Sequence, residues 1–171
     1  MLTETDGRVT LIATSLAALD AEEAGGAELA RLLAVKPPPS WPPEHSDADT
    51  REWMRNLLRR HPDEPGYSAW YLIAEGELVG NMGYTGPPDA EGAVEIGYSV
   101  VAERHRRGYA SAGVDLLVAR AFADPRVAVV AAHTLVDGLA SQGVLLKAGF
   151  ARVGGPIETD EGEVLRFERK R

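Results

Sequence analysis

EIGYSVVAERHRRGYASAGVDLLVARAF, residues 95–122, carries a strand, a turn and a helix in direct succession. In the extended run 93–101, Val94, Ile96, Tyr98 and Val100 alternate with Glu95, Gly97 and Ser99, the period-two pattern of a strand with two distinct faces. From Tyr109 onward, apolar residues at 110, 114, 117, 118, 121 and 122 recur at helical spacing until Asp124-Pro125. Between them, Arg104-His105-Arg106-Arg107 stands directly before Gly108. A helix N-terminus offers free N–H groups and roughly half a positive charge, so a turn feeding one attracts anions before any side chain is counted. Gly108 and Ala110 let a bulky ligand approach the backbone, and the arginines add bidentate donors for phosphate oxygens. A pyrophosphate suits such a turn; a solvated, charged helix start is the plain alternative. The phosphate loop that ends in Gly-Lys-Ser/Thr and the Gly-x-Gly-x-x-Gly dinucleotide turn are both missing.

The rest of the chain frames this unit. RVTLIAT (8–14) reads as a strand, and 16–35 as helical with a break at Gly25-Gly26. KPPPSWPP (36–43) is a stiff loop, and Ser46 with Asp49 three residues on resembles a helix start, followed by Trp53, Met54, Leu57 and Leu58 at helical spacing. SAWYLIAE (68–75) and ELVGNMGYT (77–85) form a hairpin around Gly76. VAVVAAHT (127–134) reads as a fully buried strand and 139–148 as a short helix that Gly149 ends. Two more strands, 150–155 and 163–170, flank a TDEG turn. The order β-α-α-β-β-β-α-β-α-β-β predicts an α/β fold, a mixed sheet with helices on both sides, in a single domain spanning 1–171.

Composition excludes several functions. The formal net charge is −8, which opposes nucleic-acid and anionic-membrane binding, since both need an extended basic surface. With no cysteine there is no disulfide, thiolate metal site or cysteine nucleophile, and the chain fits a reducing compartment. The N-terminus lacks a basic segment followed by an apolar one, and no run reaches about 18 apolar residues, so a cytoplasmic protein is expected. His45, His61, His105 and His133 are scattered and predict no metal site, and a structural role is expected for His133. Trp53 and Trp70 are expected in the core and Trp41 in a lid, while Asp137 and the acidic run 158–163 solubilise turns.

The stretch 95–122 resembles the acetyl-CoA-binding core of the GNAT (Gcn5-related) N-acetyltransferases, whose pattern there is a strand, then Arg/Gln-x-x-Gly-x-Gly/Ala, then a long helix. His105-Arg106-Arg107-Gly108-Tyr109-Ala110 occupies that pattern, with His105 at its first position. AHTLVDGLASQGVLLKAGF, 132–150, resembles the family's next strand, loop and helix, most closely in the RimJ/RimL-like branch that acetylates protein N-termini and small amines. The likeness covers about 70–154. At the head of the branch's Asn-x-x-Ser this chain has Gly138, and the tyrosine that serves many relatives as a general acid is Leu145 here.

The resemblance implies direct acetyl transfer from acetyl-CoA to a primary amine of a small molecule or peptide N-terminus, with no covalent enzyme intermediate and no metal. It also allows a homodimer. By the same likeness the backbone of Tyr98 and Val100 would bond the pantetheine, Arg106, Arg107, Gly108, Tyr109, Ala110 and Ser111 would cradle the pyrophosphate, and Gly138 would approach the cofactor arm. An N–H near Val100 or Val101 would polarise the thioester carbonyl. Glu95 is the candidate base beside the small residues Gly97 and Ser99; its alternative is a strand carboxylate paired with an arginine or facing solvent. Ser141 is the candidate hydroxyl near the sulfur or a phosphate; its alternative is an ordinary helix-start serine. A CoA-binding module without turnover is the rival reading, and an RNA-binding loop is the weakest, because a single basic turn carries it.

Overall fold

A computed structural model describes residues 1–171. Its elements are β1 (Thr3–Thr5), β2 (Val9–Ala13), α1 (Leu16–Ala24), α2 (Gly26–Leu32), α3 (Ala48–Arg60), β3 (Ala69–Ala74), β4 (Glu77–Tyr84) and β5 (Ala93–Val100), then α4 (Tyr109–Ala123), β6 (Val129–Leu135), α5 (Leu139–Lys147), β7 (Ala151–Thr159) and β8 (Gly162–Lys170). The strands form one 8-stranded sheet in the order β1-β2-β3-β4-β5-β6-β8-β7. Every neighbouring pair is antiparallel except β5 and β6, which α4 joins as a parallel crossover.

Strand β3 shows why the sheet needs helices on both faces. All six residues of AWYLIA are buried. Trp70 and Leu72 pack toward α4 with Leu11, Val114 and Leu117, while Tyr71 and Ile73 pack toward α1 and α2 with Ala18, Leu29 and Leu33. A strand covered on both faces has no reason to alternate in polarity. On the α4 side the approach is close, because a Cβ on Gly113 would lie 2.4 Å from Cε of Met82. The β3–β4 turn places Glu75 (φ 52) and Gly76 (φ 72) in the left-handed region, the conformation of a two-residue hairpin turn.

Several sequence expectations shift. The short polar strand β1, TET, was not anticipated; the break expected at Gly25-Gly26 falls at Gly25, but the second helix stops at Leu32 rather than running to 35. Helix α3 is capped by Asp47, whose carboxylate accepts the Thr50 N–H at 2.9 Å; Ser46 is buried and serves the sheet instead. Strand β6 begins at Val129 and is not fully buried, since His133 is half-buried. Strand β7 runs on to Thr159 as an exposed edge, interrupted between Val153 and Ile157 around Gly154-Gly155-Pro156, which hinders pairing with another chain.

Candidate active site

The sheet opens where β5 and β6 part. Their ladder runs from Ala93 opposite Val129 to Ile96 opposite Ala132 and stops, while β5 continues to Val100. On the other edge of β5, the Val101 N–H donates to the Val79 carbonyl at 2.9 Å and the Thr85 N–H donates to the Glu95 carbonyl at 3.0 Å. Alternation along the strand therefore turns the main-chain groups of Tyr98 and Val100 away from β4, into the gap. The His105 imidazole donates from Nε2 to the Val100 carbonyl at 2.7 Å, which leaves the Val100 N–H and both Tyr98 groups for a ligand. Val101 is corrected by this geometry: it is buried and its N–H is committed to the sheet, so Val100 is the strand-edge donor of the two.

The basic turn closes the far end of that gap. Arg106 (φ 60) and Gly108 (φ 76) are left-handed, and Gly108 caps α4 without any side-chain bond. None of the main-chain N–H groups from Arg106 to Ser111 finds a partner in the chain, so they form a concave set of free donors. They line a cleft of about 620 Å³ together with Tyr98, Val100, Ala140, Ser141, Val144 and Lys147. Arg104 is not a free cation, for its guanidinium forks onto Glu77 at 3.0 Å. The Arg8 guanidinium, reaching from the β1–β2 turn, donates to the Arg107 carbonyl and braces the loop. Gly138 lies outside this cleft: it caps α5, donates to the Leu135 carbonyl at 2.9 Å and accepts from Gln142 at 3.0 Å.

Ser141 is held by a partner that no sequence spacing indicated. The Tyr98 hydroxyl donates to the Ser141 carbonyl at 3.0 Å and lies 2.8 Å from its Oγ. Burial pushes the Tyr98 phenol up to about 12, with the Ser141 bond as a smaller opposing effect, so it stays protonated at neutral pH. Leu145 is fully buried in the core, and Tyr98 brings a phenol to the same helix from β5.

A second cleft, of about 410 Å³, lies on the α3 side of β4 and β5 and includes Trp53, Met54, Asn81, Tyr84, Gly97 and Glu161. A Cβ on Gly97 would meet nothing within 4 Å, so that floor is open space. The two clefts share Glu44, His45, Tyr98 and Ser99. Three side-chain bonds hold the loop at this junction: Ser99 Oγ donates to the Glu44 carbonyl at 2.9 Å, Asn81 Nδ2 to Ser46 Oγ at 2.6 Å, and Thr50 Oγ1 to the His45 carbonyl at 3.3 Å.

Three sequence expectations change here. Trp53 is 40% exposed and lines the second cleft rather than the core. Trp41 is no lid, because its ring packs 6.4 Å from Tyr71 and its Nε1 donates to the buried Glu22 carboxylate. Glu161, from the acidic run, belongs to the second cleft. Glu95 meets neither an arginine nor open solvent alone; its Oε1 lies 2.8 Å from Nδ1 of His133. It lines neither cleft and stands one pleat repeat before Gly97, on the same face. No group of three or more His, Asp or Glu side chains gathers as a metal site, and no helix is long and apolar enough to cross a membrane.

Comparison with known proteins agrees with this geometry. A family profile described as an acetyltransferase (GNAT) domain matches residues 10–151. The uncharacterized N-acetyltransferase YjdG of Bacillus subtilis (strain 168) is 28% identical over 153 residues, covering 88% of this chain and 89% of the relative. Among solved structures, the ribosomal L7/L12 alpha-N-protein acetyltransferase RimL in complex with coenzyme A shares the fold at a TM-score of 0.73 and 17% identity, over 98% of this chain and 96% of that one. The microcin C7 self-immunity acetyltransferase MccE, in complex with acetyl-CoA and AMP, does so at 0.71 and 13% identity, over 97% and 94%. The parted strands, the donor-lined turn and the profile spanning most of the sheet lead to one conclusion: the chain belongs to the GNAT acetyltransferase family.

Proposed function

We propose that this protein transfers the acetyl group of acetyl-CoA to a primary amine, with the donor in the first cleft and the acceptor in the second. The observation that carries this reading is the meeting of the two clefts at Tyr98 and Ser99, with a cradle of free N–H groups at the outer end of the first. A diphosphate fits that cradle: backbone donors from Arg106 to Ser111 face it, and Arg106, Arg107 and Lys147 add charge. The pantetheine arm then extends β5 as an added strand on the Tyr98 and Val100 main chain, and the Val100 N–H polarises the thioester carbonyl. Acetyl-CoA supplies an acyl group activated as a thioester. The Ser141 hydroxyl, fixed by its hydrogen bond with Tyr98, stands beside the pantetheine arm as a contact of the cofactor.

The acceptor is an amine of a small molecule or a peptide N-terminus that enters over Gly97 between Trp53 and Glu161. Glu95, fixed by His133, lines neither cleft, so it reaches the acceptor only through water across the Gly97 gap and orders that water rather than taking the ammonium proton. The test is thiol release from acetyl-CoA with a panel of small amines and N-terminal peptides. Amine-dependent release with formation of the acetylated amine is expected. Tight binding of acetyl-CoA without turnover of any amine would leave a silent CoA-binding module in its place.

A further inference from the structure

We infer that His45 takes the proton that the acceptor amine must lose and returns it to the departing sulfur; this rests on the acetyl-transfer reading above. Donor and acceptor react where the clefts join, and four residues line both: Glu44, His45, Tyr98 and Ser99. Among these side chains an imidazole is the type that both accepts and donates a proton near neutral pH. Glu95 and His133 are paired with each other outside both clefts.

The backbone gives independent support. His45 is in the left-handed region at φ 63, which an L side chain adopts at a cost, and such conformations persist where their surroundings hold them. Here the residues on either side are tied to the sheet, Glu44 by Ser99 and Ser46 by Asn81, and Thr50 holds the His45 carbonyl. The imidazole itself makes no hydrogen bond; its nearest ion-pairing neighbour is Glu44, 3.7 Å from Nε2. The other charged groups facing it are the basic turn 104–107 and Lys147 across the first cleft, and Glu161 across the second.

The step balances as follows. The ammonium gives one proton to His45, and the nitrogen lone pair then attacks the acetyl carbon. The C–N bond forms, the C–S bond breaks, and its electron pair stays on sulfur. The second amine proton leaves to water as the amide forms, and the His45 imidazolium protonates the thiolate.

Three variants test this against the acetyl-CoA reaction: His45→Gly, which suits a left-handed backbone, His45→Gln, and Glu95→Gln. Both His45 variants should bind acetyl-CoA in calorimetry as the wild type does, yet lose about a hundredfold or more in kcat/KM for the amine. They should also lose the inflection in the pH–rate profile. Added imidazole should restore part of the rate to His45→Gly, whereas Glu95→Gln keeps the inflection. Wild-type rate and pH profile in His45→Gly, or loss of the inflection in Glu95→Gln alone, would overturn the assignment. Binding of acetyl-CoA by the wild type with no turnover of any amine would instead remove the reaction itself, and the proposal with it.

Discussion

In the proposed donor site, Gly108 is expected to matter more than the arginines around it. Its φ of 76 ends the turn and opens α4, and a Cβ there would sit 3.0 Å from Nη2 of Arg8, the group that braces the Arg107 carbonyl. Gly108→Ala should therefore lower the Tm by about 3 °C, from roughly 1 kcal/mol of left-handed strain. It should also raise the Kd for acetyl-CoA by about tenfold in calorimetry, a factor equal to about 1.4 kcal/mol. An unchanged Kd would take the diphosphate off this loop. The glycine, the cations and the helix start were all legible in RHRRGYAS, because local chemistry fixes them. That Arg104 is spent on Glu77, 27 residues earlier, was not, since only the folded sheet brings the two together.

Among elements, the β1–β2 hairpin has a task its sequence did not announce. The Asp6 carboxylate accepts the N–H groups of Arg8 and Val9, both at 2.8 Å, and these backbone bonds hold it below the usual carboxylate range. The turn so fixed directs Arg8 onto the basic loop. Arg8→Ala should weaken acetyl-CoA binding severalfold with little change in Tm, because Arg8 is exposed and acts through the loop. An unaltered Kd would reduce that contact to surface decoration. Strand β1 escaped sequence reading because three polar residues show no periodicity, and the α3 start was misplaced because Ser46 and Asp47 are both ordinary capping residues.

Helix α1 carries a further, pH-dependent element. Glu22 is buried against Tyr71 and Trp41, and burial raises its pKa above the ordinary 4.5. The folded state thus holds this proton where the unfolded chain has released it, so the contribution of Glu22 to stability falls as pH rises from about 4.5 through the raised value. Glu22→Gln removes the titration. The Tm difference between variant and wild type should shift in the variant's favour as pH increases from about 4 to 7. A difference independent of pH would mean that Glu22 does not titrate in this range.

Taken together, the molecule is a sheet opened on one side of a single strand. Parallel pairing of β5 with β6 ends at Ile96, α4 spans the crossover, and the first cleft is what remains between the parted strands. The strand–turn–helix unit made this half readable, because its residues are contiguous in sequence. The second cleft is assembled from α3, the loop before it, β4, β5 and the β7–β8 turn, so Trp53, Asn81, Gly97 and Glu161 have no shared spacing to read. The same holds for the Asn81–Ser46 and Tyr98–Ser141 bonds, which join residues 35 and 43 positions apart.

Initial-rate kinetics with acetyl-CoA and amine both varied separate the two halves. Gly97→Val fills open space in the second cleft, while Gly108→Ala disturbs the turn that lines the first. If donor and acceptor occupy the two clefts as described, Gly97→Val raises the KM for the amine and leaves that for acetyl-CoA unchanged, and Gly108→Ala does the reverse. Equal effects of each substitution on both substrates, or amine kinetics untouched by Gly97→Val, would contradict the arrangement.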